Sequence, residues 1–329
     1  MSALLKKKEK RDLLSLVDAP LLFTREKRPE NGEDCASYIC HTDGAYFAVF
    51  DGCGGAGAQH CPHYGGKTEA YIASRAAADV FESWFDAGND RSAESLRSRL
   101  RDYLTDCYER VGEESVLMGG LRKKLPTTAA AGICRLTEEG LTLDVYWAGD
   151  SRVYLLDAQG LAQLTEDDLG GIDAMENLTR DGALTNLINL SRDFTLHTAR
   201  LRLVRPALVF AATDGCFGYL STPMEFEYLL LSTLLNADGI SDWLRTLRER
   251  IDCVSGDDFS ISGYALGFGS FPNTKQALIP RANALYESCI RGLKDKSPEE
   301  KQLLWQTYRV NYERLLCRVQ GPSTEYTER

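Results

Sequence analysis

Long apolar runs are absent from this sequence. Nowhere in its 329 residues does it reach the roughly 18 consecutive apolar residues that a membrane-spanning helix requires. The basic cluster at residues 6–11 is followed by no long apolar stretch, so the N-terminus does not resemble a secretion signal. Apolar residues make up 43% and charged residues 26% of the chain, as in an ordinary globular protein. We therefore expect no membrane partner and a cytoplasmic location.

A surplus of positive charge is also missing. The formal net charge is -10, whereas a surface devoted to nucleic acid needs net or clustered positive charge. The ten cysteines include no Cys-x2-Cys pair, which argues against a structural zinc ribbon. Because we expect no export, the cysteines should be reduced thiols rather than a disulfide framework. Neither nucleic-acid binding nor a zinc ribbon is therefore expected.

No fixed-period repeat or low-complexity tract divides the chain, whose length fits one large domain or two smaller ones. The hydrophobic periodicity predicts strands, then helices, then strands again. Residues 38–52 are typical of a hairpin that turns at Asp43-Gly44. The other predicted elements are helices at 67–86 and 92–117 (the second ended by Gly119-Gly120), strands within 127–165, an irregular surface segment at 165–195, strands within 200–215, a helical stretch at 223–251 and a last strand at 258–268.

The C-terminal region, from about residue 274, is predicted to form two amphipathic helices that are separated near Ser297-Pro298. Ser297 and Glu300 have the spacing of a capping box, and proline suits the first helical position. An apolar stripe is expected on the second helix, from Leu303, Leu304, Tyr308, Tyr312 and Leu315. Two interpretations stay open. The helices could fold back on their own domain, or they could serve as a docking or dimer element.

Acidic residues lie where several predicted strands meet a polar or glycine-rich turn. They are Asp51, Asp150, Asp214, the pair Asp257-Asp258, and the pair Glu33-Asp34 before the first strand of the hairpin. If these strand ends converge, like charges repel and some carboxylates must bind protons. A hard divalent cation relieves that repulsion, and oxygen ligands favour Mg²⁺, Mn²⁺ or Ca²⁺. Gly52 and Gly215 would let the backbone approach such an ion.

The segments that carry these acids resemble motifs of the metal-dependent protein serine/threonine phosphatases of type 2C, the PPM family. The resemblance runs in order from about Arg28 to Phe268. Its motifs are GEDCASYI (32–39), FAVFDGCGG (47–55), TTAAAGI (127–133), WAGDSRVYLL (147–156), LTEDD (164–168), FAATDGCFGYLS (210–221) and GDDFSISGYAL (256–266). Each motif is weak alone, but their shared order and spacing are specific.

The resemblance implies an α+β fold, a four-layer αββα sandwich in which helices flank two antiparallel sheets, with a two-metal centre at one end. It implies Mg²⁺ or Mn²⁺ as cofactor, with two ions and in some members a third. It also implies direct attack by a metal-activated water on phosphorus. The implied ligands are Asp51 as the bridge, Asp214 and Asp257 for one ion, Glu33 and the Gly52 carbonyl for the second, and Asp150 for the weaker third.

Cys53 departs from the family pattern, because it replaces a motif histidine that is a candidate general acid. A thiol can donate a proton but has no cationic form, so a slower enzyme is expected. The thiol is not needed as a nucleophile, and the sequence contains no Cys-x5-Arg loop. The nearby loop at residues 59–66 bears His60, Cys61 and His63. It could be an ordinary surface loop, bind zinc together with Cys53, or supply the missing acid.

Arg28 lies one residue away from the position of the family's phosphate-binding arginine, which Pro29 occupies. A shifted loop could bring Arg28 or Lys27 to the substrate, and Arg28 is the preferred candidate. Asp258 replaces an asparagine of the family, and Gly218 replaces a second aspartate of many members. Asp258 could tighten metal binding or accept hydrogen bonds from the turn.

We expect three regions: an N-terminal extension at 1–25, the phosphatase domain at 26–270 and a C-terminal helical extension at 271–329. The leading hypothesis is a Mg²⁺- or Mn²⁺-dependent hydrolase that removes phosphate from serine or threonine of phosphoproteins, in signalling opposite a Ser/Thr kinase. One alternative is a catalytically silent module that binds a kinase or signalling partner through its C-terminal helices. Another is a phosphoesterase acting on a small molecule.

Overall fold

The computed structural model describes residues 12–88, 92–111, 124–138, 140–170, 173–179, 182–204, 206–316 and 325–326. Two large sheets dominate it, and a two-stranded ribbon accompanies them. The strands are β1 Val17–Arg25, β2 Cys35–Cys40, β3 Ala45–Phe50, β4 His60–Cys61, β5 Lys67–Thr68, β6 Ala129–Thr137, β7 Gly140–Ala148, β8 Arg152–Asp157, β9 Gly160–Gln163, β10 His197–Leu203, β11 Ala207–Ala212, β12 Phe259–Leu266 and β13 Glu325–Tyr326. None of the described helices is long and apolar enough to cross a membrane.

The first sheet has the strand order β1-β12-β11-β8-β9, and the second has the order β13-β10-β7-β6-β3-β2. Neighbouring strands are antiparallel, except that β13 pairs with β10 in parallel. The helices are α1 Glu69–Ala87, α2 Ala93–Val111, α3 Ala174–Thr179, α4 Pro223–Asn236, α5 Ile240–Asp252, α6 Phe271–Leu285 and α7 Pro298–Tyr312. A π-helical turn at Tyr286–Ile290 continues α6.

Side-chain alternation along the strands sorts the core into three layers. In β3, Phe47 and Val49 point into the core between the sheets. Tyr46, Ala48 and Phe50 face the opposite side, where α1 and α2 pack. The outer face of the first sheet is covered by α4, α5, α6 and α7. This arrangement is the αββα sandwich predicted from the resemblance, and strands such as β3 are apolar throughout because both of their faces are buried.

The hairpin of β2 and β3, the helix near 67–86 and the last strand are confirmed. The helical stretch predicted at 223–251 is divided into α4 and α5, because the Thr222 side chain caps the first helix and Gly239 begins the second. Within the described residues α2 runs to Val111, so its predicted end at Gly119-Gly120 lies outside them.

The C-terminal helices fold back on the first sheet. In α7, Trp305, Tyr308 and Tyr312 are buried in the same core as β8 and β11. The predicted capping box of Ser297 and Glu300 is present. The predicted stripe was wrong at Leu303, which is 66% exposed because Trp305 takes the buried position on that turn.

Residues 17–25, which the sequence places in an N-terminal extension, form β1, and this strand pairs with β12 from Val17 to Arg25. The strand therefore completes the first sheet. The outer domain boundaries at 26, 270 and 271 stay predictions.

Candidate metal centre

The acidic residues selected from the sequence lie at one end of the sandwich. The strand registers put the C-terminal end of β3 beside the N-terminal ends of β2 and β6. In the other sheet, the C-terminal end of β11 lies beside the N-terminal ends of β8 and β12. The turn at residues 149–151 joins β7 to β8 at this same end. Asp51 follows β3, Asp150 precedes β8, Asp214 follows β11 and Asp257 precedes β12. The predicted convergence of strand ends is therefore observed.

The carboxylates are close enough to perturb one another. Burial raises the pKa of Asp51 well above its ordinary value, and repulsion from Asp214 adds to the rise. Burial, then repulsion from Asp214 and Asp167, raises the pKa of Asp150 in the same direction. Burial and the charge of Asp257 raise the pKa of Asp214 to about 6. A bound cation would reverse this balance, because it stabilises the charged form of every carboxylate around it.

Within the described part of the chain, the Asp51 carboxylate and one oxygen of Asp150 lack hydrogen-bond donors. Among the described residues, the hydrogen bonds of Asp51 involve only its backbone. The Oδ1 atom of Asp150 is buried without any partner. Buried polar atoms are normally satisfied, so an orphaned carboxylate oxygen indicates a missing ion or water. No three His, Cys, Asp or Glu side chains of the described part are already assembled around one point. The all-oxygen donor set nevertheless fits a hard divalent cation, which would draw the carboxylates together.

Glu33 is held at the edge of this cluster by the segments around it. Its Oε1 atom accepts a hydrogen bond of 2.5 Å from the Thr68 hydroxyl, which also caps α1. Its backbone carbonyl accepts from the Gly52 N–H at 3.2 Å. Burial is the main cause of a raised pKa at Glu33. The glutamate therefore reaches the cluster from the N-terminal side of α1.

Two glycines of the 52–57 segment lie close to other protein atoms. A Cβ atom on Gly54 would lie 2.0 Å from the Glu33 Oε2 atom. A Cβ atom on Gly52 would lie 2.4 Å from the Ala70 carbonyl oxygen. None of the described residues donates a hydrogen bond to the Gly52 carbonyl, which leaves that oxygen available as a ligand. The glycines thus make room for protein atoms, in addition to any room that they make for an ion.

Asp258 organises the segment that carries Arg28 and Glu33. Its Oδ1 atom accepts a hydrogen bond from the Lys27 N–H, and its Oδ2 atom accepts one from the Glu33 N–H, both at 2.7 Å. Both carboxylate oxygens are therefore used by backbone donors at the two ends of residues 27–33. Of the two roles left open for Asp258, hydrogen bonding to a turn is the one observed.

Arg28 is exposed in this same segment, and its positive charge offsets a small part of the rise that burial causes in the pKa of Glu33. Lys27, the other candidate for phosphate binding, is engaged elsewhere, because its Nζ atom lies 2.6 Å from Asp252. Among the described residues the Arg28 side chain forms no hydrogen bond or ion pair. The structure therefore brings Arg28 beside the cluster with its guanidinium available.

Cys53 lies beside Asp51, and its thiol points toward the Asp51 carbonyl oxygen at 3.9 Å. In the following loop, His60 bonds to the Gly66 carbonyl at 2.6 Å, while Cys61 is buried in the core against α1 and α2. His63 is exposed. Since no cluster of three such residues is found in the described part, the loop gives no support to a zinc site.

Asp34 and Arg152 belong to this site but received no role from the sequence. Asp34 is 2% exposed, and burial raises its pKa to about 8. Its Oδ2 atom accepts a hydrogen bond from the hydroxyl of Thr213, directly before Asp214. The guanidinium of Arg152 is 2% exposed and forms two hydrogen bonds, of 2.9 and 2.7 Å, with Asp167. The position of Arg152 two residues after Asp150 was the available signal.

No protein-family profile and no curated protein matches the chain. Solved structures do match its fold. The serine/threonine phosphatase Stp1 from Staphylococcus aureus is 20% identical, with a TM-score of 0.56 over 76% of this chain and 96% of that chain. The PPM Ser-Thr phosphatase MsPP from Mycobacterium smegmatis, in complex with cacodylate, is 16% identical, with a TM-score of 0.52 over 77% and 100%. The serine/threonine phosphatase PstP/Ppp from Mycobacterium tuberculosis is 17% identical, with a TM-score of 0.52 over 76% and 99%. The fold is therefore that of the PPM-type phosphatases, as the resemblance implied.

Proposed function

We propose that this chain is a metal-dependent protein serine/threonine phosphatase with Mg²⁺ or Mn²⁺ as its cofactor. The observation that carries the proposal is the meeting of Asp51, Asp150, Asp214 and Asp257 at one end of a PPM-type sandwich. The Asp51 carboxylate and the Oδ1 atom of Asp150, which accept no hydrogen bond from the described residues, support it further. Proteins with this fold at such low identity can differ in function, so the proposal depends on the site and not on the fold alone.

In this proposal the protein's residues divide into two ligand groups around a bridging Asp51. Asp214 and Asp257 complete one group, and Glu33 with the Gly52 carbonyl forms the other. Asp150 would serve a third, weaker ion. Two bound ions would supply a water that ionises near neutral pH and would neutralise charge on the phosphoryl oxygens.

Arg28 and Cys53 are the proposed residues for substrate binding and proton donation. The free guanidinium of Arg28 can bind two phosphoryl oxygens at once, as planar arginine forks commonly do. The Cys53 thiol, adjacent to the Asp51 backbone, would protonate the departing serine or threonine oxygen. General acid assistance typically contributes about 10²–10⁴ in rate. The enzyme should therefore be slowest on substrates whose leaving group most needs a proton.

The substrates in this proposal are phosphoproteins, which a Ser/Thr kinase in the same cytoplasmic signalling system would phosphorylate. The silent-module alternative depends on C-terminal helices that are free to dock a partner. In this structure the aromatic face of α7 is buried on the protein's own sheet. That burial favours the enzyme over the docking module.

Hydrolysis of p-nitrophenyl phosphate tests the proposal directly. The purified protein should turn over this substrate with Mn²⁺ and lose the activity in EDTA. Asp214→Asn should remove the activity, whereas Asp193→Asn, at an exposed position that pairs with Arg97 and Arg101 of α2, should retain it. Turnover that is absent with Mn²⁺, or that survives both EDTA and Asp214→Asn, would reject a metal-dependent phosphatase. Phosphopeptides and small phosphomonoesters compared at equal concentration would then separate a protein substrate from a small-molecule one.

A further inference from the structure

Asp173 joins the short helix α3 to the C-terminal helix α7. Its Oδ1 atom accepts hydrogen bonds of 3.0 Å from the N–H groups of Met175 and Glu176, and so caps α3. Its Oδ2 atom accepts from the Trp305 indole N–H at 3.0 Å and from Arg309 at 3.1 Å. The Asp173 side chain is 8% exposed. One buried carboxylate therefore uses both of its oxygens to tie two helices that are far apart in sequence.

From α3 the contacts continue toward the metal centre. The Asn177 amide donates a hydrogen bond of 2.8 Å to Asp167, whose carboxylate also holds Arg152. The Arg152 guanidinium lies 4.2 Å from the centre of the Phe217 ring, three residues after Asp214. Arg152 itself follows Asp150 by two residues. The Arg152 guanidinium therefore links the start of β8, next to Asp150, with the turn that follows Asp214.

The segment between β9 and α3 is also fixed to the backbone beside Asp150. The Gly149 N–H donates to the Asp168 carboxylate at 2.8 Å, and the Asp168 N–H donates to the Gly149 carbonyl at 3.0 Å. On the other side, the Tyr312 hydroxyl of α7 lies 3.5 Å from Arg152 and 3.3 Å from the Tyr154 hydroxyl. Helix α7 therefore contacts both ends of the same buried chain of polar residues.

We propose that α7 positions the Asp150 side of the metal centre, with Asp173 as the residue that transmits its hold through α3, Asp167 and Arg152. This inference rests on the proposed function, since it assigns α7 a role in binding the ions of that same site. Asp173 does not touch substrate or metal, and is a positioning residue. Loss of its link to α7 should loosen α3 and weaken metal binding, and should leave the chemistry at saturating metal unchanged.

Asp173→Ser is the sharpest test, because serine also caps helices but is too short and uncharged to hold Trp305 and Arg309. Trp305→Phe is a milder second variant that removes the indole N–H and retains an aromatic ring. Ser297→Ala is the matched control, because it removes the capping box of α7 and lowers stability without touching α3. Asp173→Asn keeps a helix cap and one acceptor oxygen, so its Mn²⁺ affinity should lie between those of Asp173→Ser and the unmodified protein.

Two measurements are needed. The first is hydrogen exchange of the amides of residues 174–178 in EDTA, which should accelerate about tenfold in Asp173→Ser, equivalent to about 1.4 kcal/mol. The second is the Mn²⁺ dissociation constant, read from the free Mn²⁺ signal in electron paramagnetic resonance, which should rise several-fold. The kcat for p-nitrophenyl phosphate at saturating Mn²⁺ should stay within about twofold of the unmodified protein. Ser297→Ala should change neither exchange at 174–178 nor Mn²⁺ affinity.

An unchanged Mn²⁺ dissociation constant in both Asp173→Ser and Trp305→Phe would overturn the inference, even if exchange accelerated, because α7 would then only stabilise α3. Equal weakening by Ser297→Ala would overturn it as well. If the proposed function is wrong, the unmodified protein will bind Mn²⁺ but hydrolyse none of the phosphate esters. The Mn²⁺ affinities of the variants would still test the role of α7 in that case. An unmodified protein that bound no Mn²⁺ would refute both.

Discussion

Asp214→Asn should stabilise the metal-free protein while it removes metal-dependent activity. Asp214 lies among Asp51, Asp150 and Asp257, and burial with the charge of Asp257 raises its pKa to about 6 from the ordinary 3.8. The folded protein therefore holds this proton more tightly than the unfolded chain does. Asp214 does not change the free energy of unfolding below about pH 3.8, where it is protonated in both states. It lowers that free energy as the pH rises from 3.8 through about 6. At pH 7.5 the full penalty is present, and asparagine removes it.

The magnitude follows from the same two values. An interval from 3.8 to about 6 corresponds to about 3 kcal/mol of lost stability at neutral pH. Because Asp214 keeps some contact with solvent, water screens part of the repulsion, and we expect a gain of about 1–3 kcal/mol from the substitution. For a chain of this size that is a rise of a few degrees in Tm. The gain should shrink as the pH is lowered from 7.5 toward 4.

The assay is thermal or urea unfolding at pH 7.5, in EDTA and in excess Mn²⁺. In EDTA the variant should be the more stable protein. In Mn²⁺ at about 1,000 times its dissociation constant the order should reverse, because a ligand at that concentration adds about 4.1 kcal/mol to the form that binds it. Asp144→Asn is the matched control, since the Asp144 carboxylate is paired with Arg135 at 2.8 Å and with Arg200 at 2.5 Å. The control should lose stability in both conditions. If Asp214→Asn were less stable than the unmodified protein in EDTA at pH 7.5, the electrostatic reasoning would be refuted.

Three further predictions concern the neighbouring residues. Arg28→Ala should raise KM for a phosphopeptide about tenfold or more, as expected for the loss of a hydrogen bond to a charged group, and should leave Tm unchanged. Arg99→Ala, on the exposed side of α2, is the control. An equal KM in both variants would count against Arg28. Cys53→His should raise kcat for an alkyl phosphate, by no more than the factor of about 10²–10⁴ that general acid assistance contributes. It should change kcat for p-nitrophenyl phosphate much less. Equal effects on both substrates would mean that the thiol is not the proton donor. Asp258→Ala should raise KM and the Mn²⁺ concentration needed for half-maximal activity, because it frees the N–H groups of Lys27 and Glu33. Asp258→Asn should have intermediate values. Values equal to those of the unmodified protein in the alanine variant would show that residues 27–33 do not need these hydrogen bonds.

The sequence was informative where one local pattern determines the outcome. An apolar run that ends in an acid predicted both the buried strand β3 and the position of Asp51 at its end. The capping box of Ser297 and Glu300 predicted where α7 begins, because both partners lie within one turn. The convergence of the acids required knowledge of strand order, which spacing alone does not contain; the family resemblance supplied it.

Contacts between distant segments could not be predicted from the sequence. Residues 17–25 look like an extension because nothing in them shows that their partner is β12, more than 230 residues later. Arg152 stands inside a recognised motif, yet its burial depends on Asp167, Phe217 and Tyr312, which come from three other segments. Leu303 fits a helical stripe as well as Trp305 does, and only the shape of the sheet beneath α7 decides which one is buried.

Two differences from the PPM pattern are connected by hydrogen bonds in the structure. The displaced Arg28 and the aspartate at position 258, where the family has asparagine, look unrelated in sequence. In the structure, Asp258 binds the N–H groups at both ends of the segment that carries Arg28, and it needs one oxygen for each. An asparagine offers a single acceptor oxygen, so its NH2 group, itself a donor, would face one of the two N–H groups. The segment that carries Arg28 thus presents two backbone donors to position 258, and a carboxylate can accept from both. The loss of affinity in Asp258→Asn should therefore be matched by faster hydrogen exchange at either residue 27 or residue 33, and protection of both amides would separate the two departures again.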